Sequence, residues 1–160
     1  MARVSPERKT ARRIIIGIGN EYRGDDAVGI AVVRKLKALH LHACTVIEAA
    51  GDGAGLIDLW DPNDSVILVD ATVSGSSPGS VTRIDLLTTP VAPESFRFSS
   101  HAVGLASAIE LARTLGRLPA RAILYGIEGI KFDHGTGMSP DVFRSVEALV
   151  GEISKEISLN

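Results

Sequence analysis

Four short runs of β-branched and aliphatic residues, separated by stretches of helical periodicity, constrain the fold of this chain more than any other feature. They are Arg13 to Ile18 (RIIIGI), Thr45 to Ala49 (TVIEA), Ser65 to Asp70 (SVILVD) and Ala122 to Ile127 (AILYGI). Continuous apolar runs of this length, rather than alternating ones, are the mark of strands covered on both faces. A fifth run from Ser80 to Leu86, SVTRIDL, alternates apolar and polar residues and is expected at a sheet edge. The first helical pattern spans Asp26 to Leu39, with Val28, Ala31, Val32, Lys35, Leu36 and Leu39 on one face. A short one spans Gly53 to Trp60, and a third His101 to Leu115, carrying Val103, Ala106, Ile109, Leu111 and Leu115. The last opens with Ser139 as N-cap and Pro140 as its first residue, and turns Val142, Phe143, Val146, Leu149, Val150, Ile153 and Ile157 inward. Strands alternating with helices predict an α/β domain: a single three-layer αβα unit around a mostly parallel sheet.

The chain has 160 residues, enough for one domain with a sizeable core. Residues 1–12 (MARVSPERKTAR) are basic and polar and are expected to form a disordered tail, with the domain running from 13 to 160. A formal net charge of -2 gives no bulk electrostatic reason to hold nucleic acid. No stretch reaches the ~18 apolar residues of a membrane span, so neither a nucleic-acid nor a membrane partner is expected, and a cytoplasmic monomer is the expectation. The lone Cys44, in the apolar run CTVIEAA, is expected to be a buried small hydrophobe.

Ligands of open α/β sheets bind beyond the carboxyl ends of the strands. The polar residues that follow the apolar runs are therefore the candidates. The first run leads into GIGNEYRGDD, with adjacent acids Asp25 and Asp26; the third ends in Asp70; and RFSSHAVGL places His101 at the expected start of a helix. Carboxylates with an imidazole suit zinc, nickel, manganese or iron and leave coordination positions open. Each residue also has a purely structural reading. Asp25 and Asp26 fit as N-cap or first-turn acids, Asp70 as a loop cap, and His101 as a satisfied helix-start histidine. Two other motifs fail on context. GIGNEY begins like a dinucleotide fingerprint, with Glu48 where a ribose-binding acid would sit, but Tyr22 replaces the third glycine and acids occupy the place of the pyrophosphate. GSSPG at 75–79 matches a nucleophile elbow around Ser77, yet a strand pattern follows it instead of a helix. His40 and His42 fall in a helix-to-strand connection and read as surface residues, and His134, in FDHGTG, is a loop histidine to which the pattern gives no role.

Four segments in order, GIGNEYRGDDAVG, VILVDATVSGSSPGSV, FSSHAVGL and GIEGIKFDHGTGMSP, resemble the hydrogenase maturation proteases, from Arg13 to about Ile157. These endopeptidases trim the C-terminal extension from the large subunit of nickel-iron hydrogenases. The resemblance implies a twisted five-stranded sheet with one antiparallel edge strand. It implies that Asp26, Asp70 and His101 are the metal-binding and catalytic residues. It also implies that Gly17, Gly19, Asn20 and Gly24 lie along the substrate peptide, and that the partner is a precursor of a hydrogenase large subunit. The metal is expected to be nickel supplied by that precursor, with no tightly bound cofactor in the free enzyme and no resident serine or cysteine nucleophile. Glu128, in the GIEG segment, receives no role. A nucleotide-binding module using Gly17, Gly19 and Glu48, and a hydrolase holding its own zinc, remain the alternatives.

Overall fold

A computed structural model describes residues 10–50, 53–91 and 102–159. The apolar runs form strands β1 (Arg13–Ile18), β2 (Thr45–Ala49), β3 (Ser65–Thr72), β4 (Val81–Asp85) and β5 (Arg121–Glu128). The helices are α1 (Val28–Ala38), the single turn α2 (Gly53–Leu56), α3 (Ala102–Thr114) and α4 (Pro140–Ser158). The sheet order is β2-β1-β3-β5-β4, all parallel except β4, which pairs antiparallel with β5 at the edge. This is the five-stranded sheet with one antiparallel edge strand that the resemblance implied.

Strand alternation sorts the core into two layers. Ile14, Ile16, Ile18, Val66, Leu68, Ala122 and Leu124 face α2 and α3, where Leu56, Leu105 and Ile109 are buried. Ile15, Ile67, Val69, Ala71, Ile123, Tyr125 and Ile127 face α1 and α4, where Val28, Leu36, Val146 and Ile153 are buried. The third helix departs from its expected face: Leu105, Ala106, Ala108, Ile109 and Ala112 are buried, whereas Leu111 and Leu115 are exposed. Leu39 and Phe143, both expected inside, are also exposed. Small residues explain α3, because an alanine-lined stripe lets the helix lie close to the sheet and turns the leucines outward. Cys44 is half-buried against the α1/α4 layer. Arg12, assigned to the tail from sequence, is fixed instead: its guanidinium and backbone N–H donate to the buried Asp64, at 2.6 Å for the shortest bond.

The layer containing α1 depends on two glycines. Gly17 in β1 lies under Gly29 of α1, and a Cβ on Gly17 would stand 2.2 Å from the Gly29 carbonyl oxygen. A Cβ on Gly29 would stand 2.3 Å from the carbonyl oxygen of Ile18 and 2.4 Å from that of Val69. These are backbone atoms that cannot swing aside. Gly29→Ala is therefore expected to lower stability by about 3 kcal/mol or more, as overpacking against rigid backbone does. Chemical denaturation measures this, and a loss below about 1 kcal/mol would show that α1 can lift off the sheet at little cost.

Candidate active site

The strand order reverses between β1 and β3: the chain leaves β1 for β2 on one side, then crosses to β3 on the other. Such a switch point opens a crevice at the carboxyl edge. Asp26 and Asp70 lie there. Asp26 belongs to a 3-10 turn, Gly24–Ala27, that joins the β1 loop to α1, so the regular helix begins at Val28 and not at Asp26. Asp70 is the sixth residue of β3 and lies opposite Gly126 of β5. Both acids are buried, at 1% and 0% exposure.

Burial in apolar surroundings is the main reason that Asp70 holds its proton well above the usual carboxylate range, and the nearby charge of Asp26 adds to it. The N–H of Ala71 donates to Asp70 Oδ1 at 2.8 Å and works in the opposite direction. Asp70 Oδ2 is buried with no hydrogen-bond partner among the described residues. A buried oxygen left this way is costly unless something else compensates. Two acids pressed together in an apolar crevice would be compensated by a cation. The residue types fit one: hard carboxylate oxygens, with an imidazole as the third donor.

His101 lies outside the described residues. Its surroundings in the chain do have a position. β5 begins at the amino edge of the sheet, a few residues after α3 ends, and Trp60, just before β3, donates its indole N–H to the carbonyl of Arg117 at 3.0 Å. The C-terminus of α3 is therefore at the amino edge, and its start at Ala102 points toward the carboxyl edge. Alternation along β3 also directs Asp70, like Val66 and Leu68, to the face that α3 covers. Among the described residues no group of three or more His, Cys, Asp or Glu gathers.

The neighbouring acid has a different task. Asp25 is fully buried, and its carboxylate accepts from the backbone N–H groups of Ile130 (2.9 Å), Lys131 (3.0 Å) and Ser139 (2.7 Å) and from the Ser139 hydroxyl (2.8 Å). The Asp25 N–H donates in turn to the Lys131 carbonyl at 2.7 Å. The N-cap role expected for Asp25 is thus replaced by an anchor for the loop that leads from β5 to α4. Ser139 does stand at the start of α4, but its side chain is spent on Asp25 and makes no cap bond. No local sequence signal reports this pairing, because the partners are mostly backbone groups more than a hundred positions away.

Glu128 is a second anchor. Its carboxylate accepts from the N–H groups of Ser74 (2.8 Å) and Gly75 (2.9 Å) and from the hydroxyls of Ser74 (2.9 Å) and Thr72 (3.1 Å). Burial opposes ionisation of Glu128, but these donors outweigh it and hold the carboxyl below its usual range. The signal in the sequence was a lone acid ending a buried strand. Ser77, in contrast, is exposed in the connection between β3 and β4, with a strand on either side.

Of the four residues expected along the substrate, Gly17, Gly19 and Gly24 are buried and each has a packing reason. A Cβ at Gly19 would meet the Asp26 carbonyl oxygen at 1.9 Å, and Gly24 takes φ +57° against the Lys131 carbonyl. Gly19 and Asn20 also line a groove of about 330 Å³ with Tyr22, Arg34, Glu48 and Ala49. There Arg34 forms a two-point pair with Glu48, at 3.0 Å each, and reaches Glu21 at 2.6 Å.

Comparison with known proteins adds to this geometry. The family model described as "Hydrogenase maturation protease" matches residues 30–156. The chain belongs to the hydrogenase maturation protease family. It is a peptidase. A relative from Methanocaldococcus jannaschii, named as a protease of this kind, is 32% identical over 152 residues, which span 89% of this chain and 96% of its own. The hydrogenase 2 maturation protease of Escherichia coli is 27% identical over 147 residues, covering 89% of this protease and 88% of its relative. A crystal structure of a [NiFe] hydrogenase maturation protease, HycI, from Thermococcus kodakarensis superposes with a TM-score of 0.63 at 28% identity, over 94% of each chain. The maturating endopeptidase HybD of E. coli shares the fold, with a TM-score of 0.74 over 89% of each chain at 23% identity. No helix among the described residues of the protease is long and apolar enough to cross a membrane.

Proposed function

We propose that this protease removes the C-terminal extension of a nickel-iron hydrogenase large-subunit precursor, and that nickel already held by the precursor is what Asp26, Asp70 and His101 recognise. The observation that carries the reading is the buried acid pair at the switch point, with Asp70 kept protonated by its surroundings and by Asp26. An enzyme waiting for a cation has this electrostatic form. Docking of the precursor's nickel would offset the repulsion between the carboxylates and release the Asp70 proton. It would also fix the adjacent peptide against the crevice. Hydrolysis then adds hydroxide to the scissile carbonyl carbon and a proton to the departing nitrogen. Nickel held near Asp26 and Asp70 would supply Lewis acidity there, drawing electron density from the scissile carbonyl. Two solid walls, the loops anchored by Asp25 and Glu128, keep the crevice in shape while the peptide is held.

Two observations weigh against the nucleotide-binding alternative. The carboxylate of Glu48 is committed to Arg34, and Gly17 is packed beneath α1 rather than open to a pyrophosphate. The test of the main reading uses nickel-loaded and nickel-free precursor, followed by the size of the large subunit on a gel. Trimming is expected with the loaded form only, and His101→Ala is expected to abolish it with little change in melting temperature. Equal trimming of both forms would overturn the role given to nickel.

A further inference from the structure

A pocket of about 350 Å³ opens beside the carboxyl edge between two turns, lined by Val73, Gly75 and Ser76 on one side and Gly129, Ile130 and Phe132 on the other. It begins where β3 ends. Thr72, paired with Glu128, is two residues beyond Asp70, which along a strand is roughly 7 Å. Alternation gives Thr72 the same face as Asp70. The lining begins at Val73, three residues beyond Asp70, so the pocket lies at the same carboxyl edge as the acid pair.

Its chemistry is apolar by construction. The single carboxylate in the lining, Glu128, has its oxygens occupied by Ser74, Gly75 and Thr72, so it offers little to a charged or polar guest. Ile130 stands at the mouth with 58% of its surface exposed, an unusual cost for an isoleucine held on a fixed turn. Both walls are rigid. Glu128 ties down the 74–75 turn, and Asp25 ties down the backbone at Ile130 and Lys131. Preformed apolar concavities bind without an ordering cost.

We infer that this pocket is a specificity subsite that takes one apolar side chain of the precursor segment close to the scissile bond. The inference rests on the endopeptidase reading above, because only an extended peptide lying across the carboxyl edge would present a side chain here. A peptide strand whose reacting carbonyl sits by Asp70 would carry the residue one or two positions away over Val73 and Ile130. An aliphatic or aromatic side chain would bury Ile130 as it entered, and an acidic one would meet mostly apolar walls, with Ser76, whose hydroxyl is already paired with that of Ser74, as the side-chain donor.

The test replaces, one at a time, the residues within about four positions of the cleaved bond by Asp, in nickel-loaded precursor. At one position the wild-type enzyme is expected to slow by about ten- to a hundred-fold, the range for one side chain in an apolar pocket. Ile130→Arg is expected to slow trimming of the unaltered precursor and to recover the Asp-substituted one. The fold is not at stake, since Ile130 is exposed and only its backbone N–H is used by Asp25. Indifference of the wild type to Asp at every position, or an unchanged preference in Ile130→Arg, would overturn the subsite. Independently of cleavage, a peptide spanning the precursor's cleavage region is expected to shift the backbone amide resonances of Gly75, Gly129 and Ile130, and its Asp-substituted form is not. Perturbation confined to other residues would also overturn the subsite. Failure of the wild type to trim any precursor would instead sink the endopeptidase reading, and the resonance shifts would still decide the pocket.

Discussion

Replacing Asp25 by Ala is expected to lower the stability of the protein by about 3–5 kcal/mol. The substitution strips acceptors from the N–H groups of Ile130, Lys131 and Ser139 and from the Ser139 hydroxyl. Each buried donor left without an acceptor costs ~1–3 kcal/mol, and the partial exposure of the Ile130 turn lets water recover some of that. For a chain of this length the corresponding fall in melting temperature is roughly 6–20 °C. Asp25→Asn should lie between, since its amide keeps one acceptor oxygen but turns an N–H₂ toward donors. Thermal unfolding of the two variants measures the effect. A shift of less than a few degrees for Asp25→Ala would show that solvent replaces the carboxylate in the loop.

Asp70→Asn is expected to do the reverse: stabilise the free protein while reducing precursor trimming by at least about a hundred-fold, as loss of a metal-coordinating group does at a minimum. The sign follows from the proton. Burial, reinforced by Asp26, raises the Asp70 carboxyl in the folded state well above the ordinary aspartate value of about 4. Below that value both folded and unfolded chains hold the proton, and the group contributes no pH slope. As pH rises from there to the folded value, the unfolded chain releases its proton first, and the folded state loses relative stability. Asn removes the titration, so the advantage of the variant grows across that window and is then constant. Melting curves of both proteins across acid to neutral pH check this. A variant less stable than wild type at neutral pH would mean that ionised Asp70 is well solvated or paired, against the crevice described above.

The framework was legible because it rests on short-range patterns. β-branched runs announced the five strands, and Pro140 announced α4. Strand ends were less so: β3 and β5 extend to Thr72 and Glu128, polar residues that close no apolar run yet are buried and bonded to one another. Leu111, Leu115 and Phe143 were misplaced for one reason, that apolar periodicity alone does not tell which of two adjacent stripes meets the sheet. The acids illustrate the limit at the site. Asp25 and Asp26 are neighbours with equal claims as helix-start residues, and only tertiary placement divides them. One is tied into the loop before α4, while the other lies next to Asp70. The positions of Asp26 and Asp70 at the carboxyl edge followed from their places just after the first and third apolar runs, whereas the switch point between β1 and β3 did not, because the pattern carries no strand order. Their protonation did not, because it depends on burial from every side.

The bond between Asp25 and Ser139 also bears on the order in which the protein is made. The two residues are 114 positions apart, so the contact closes a loop that takes in most of the domain. Contacts of such long range form late, after the chain between them has paid its closure entropy. On the ribosome, β1, β3 and the acid pair emerge well before α4. Until the segment from Ile130 to Ser139 docks, Asp25, the neighbour of Asp26, lacks its donors. A nascent or truncated chain that stops short of Ile130 is therefore left with a loose crevice, and the hydrolase becomes competent only once synthesis is nearly complete.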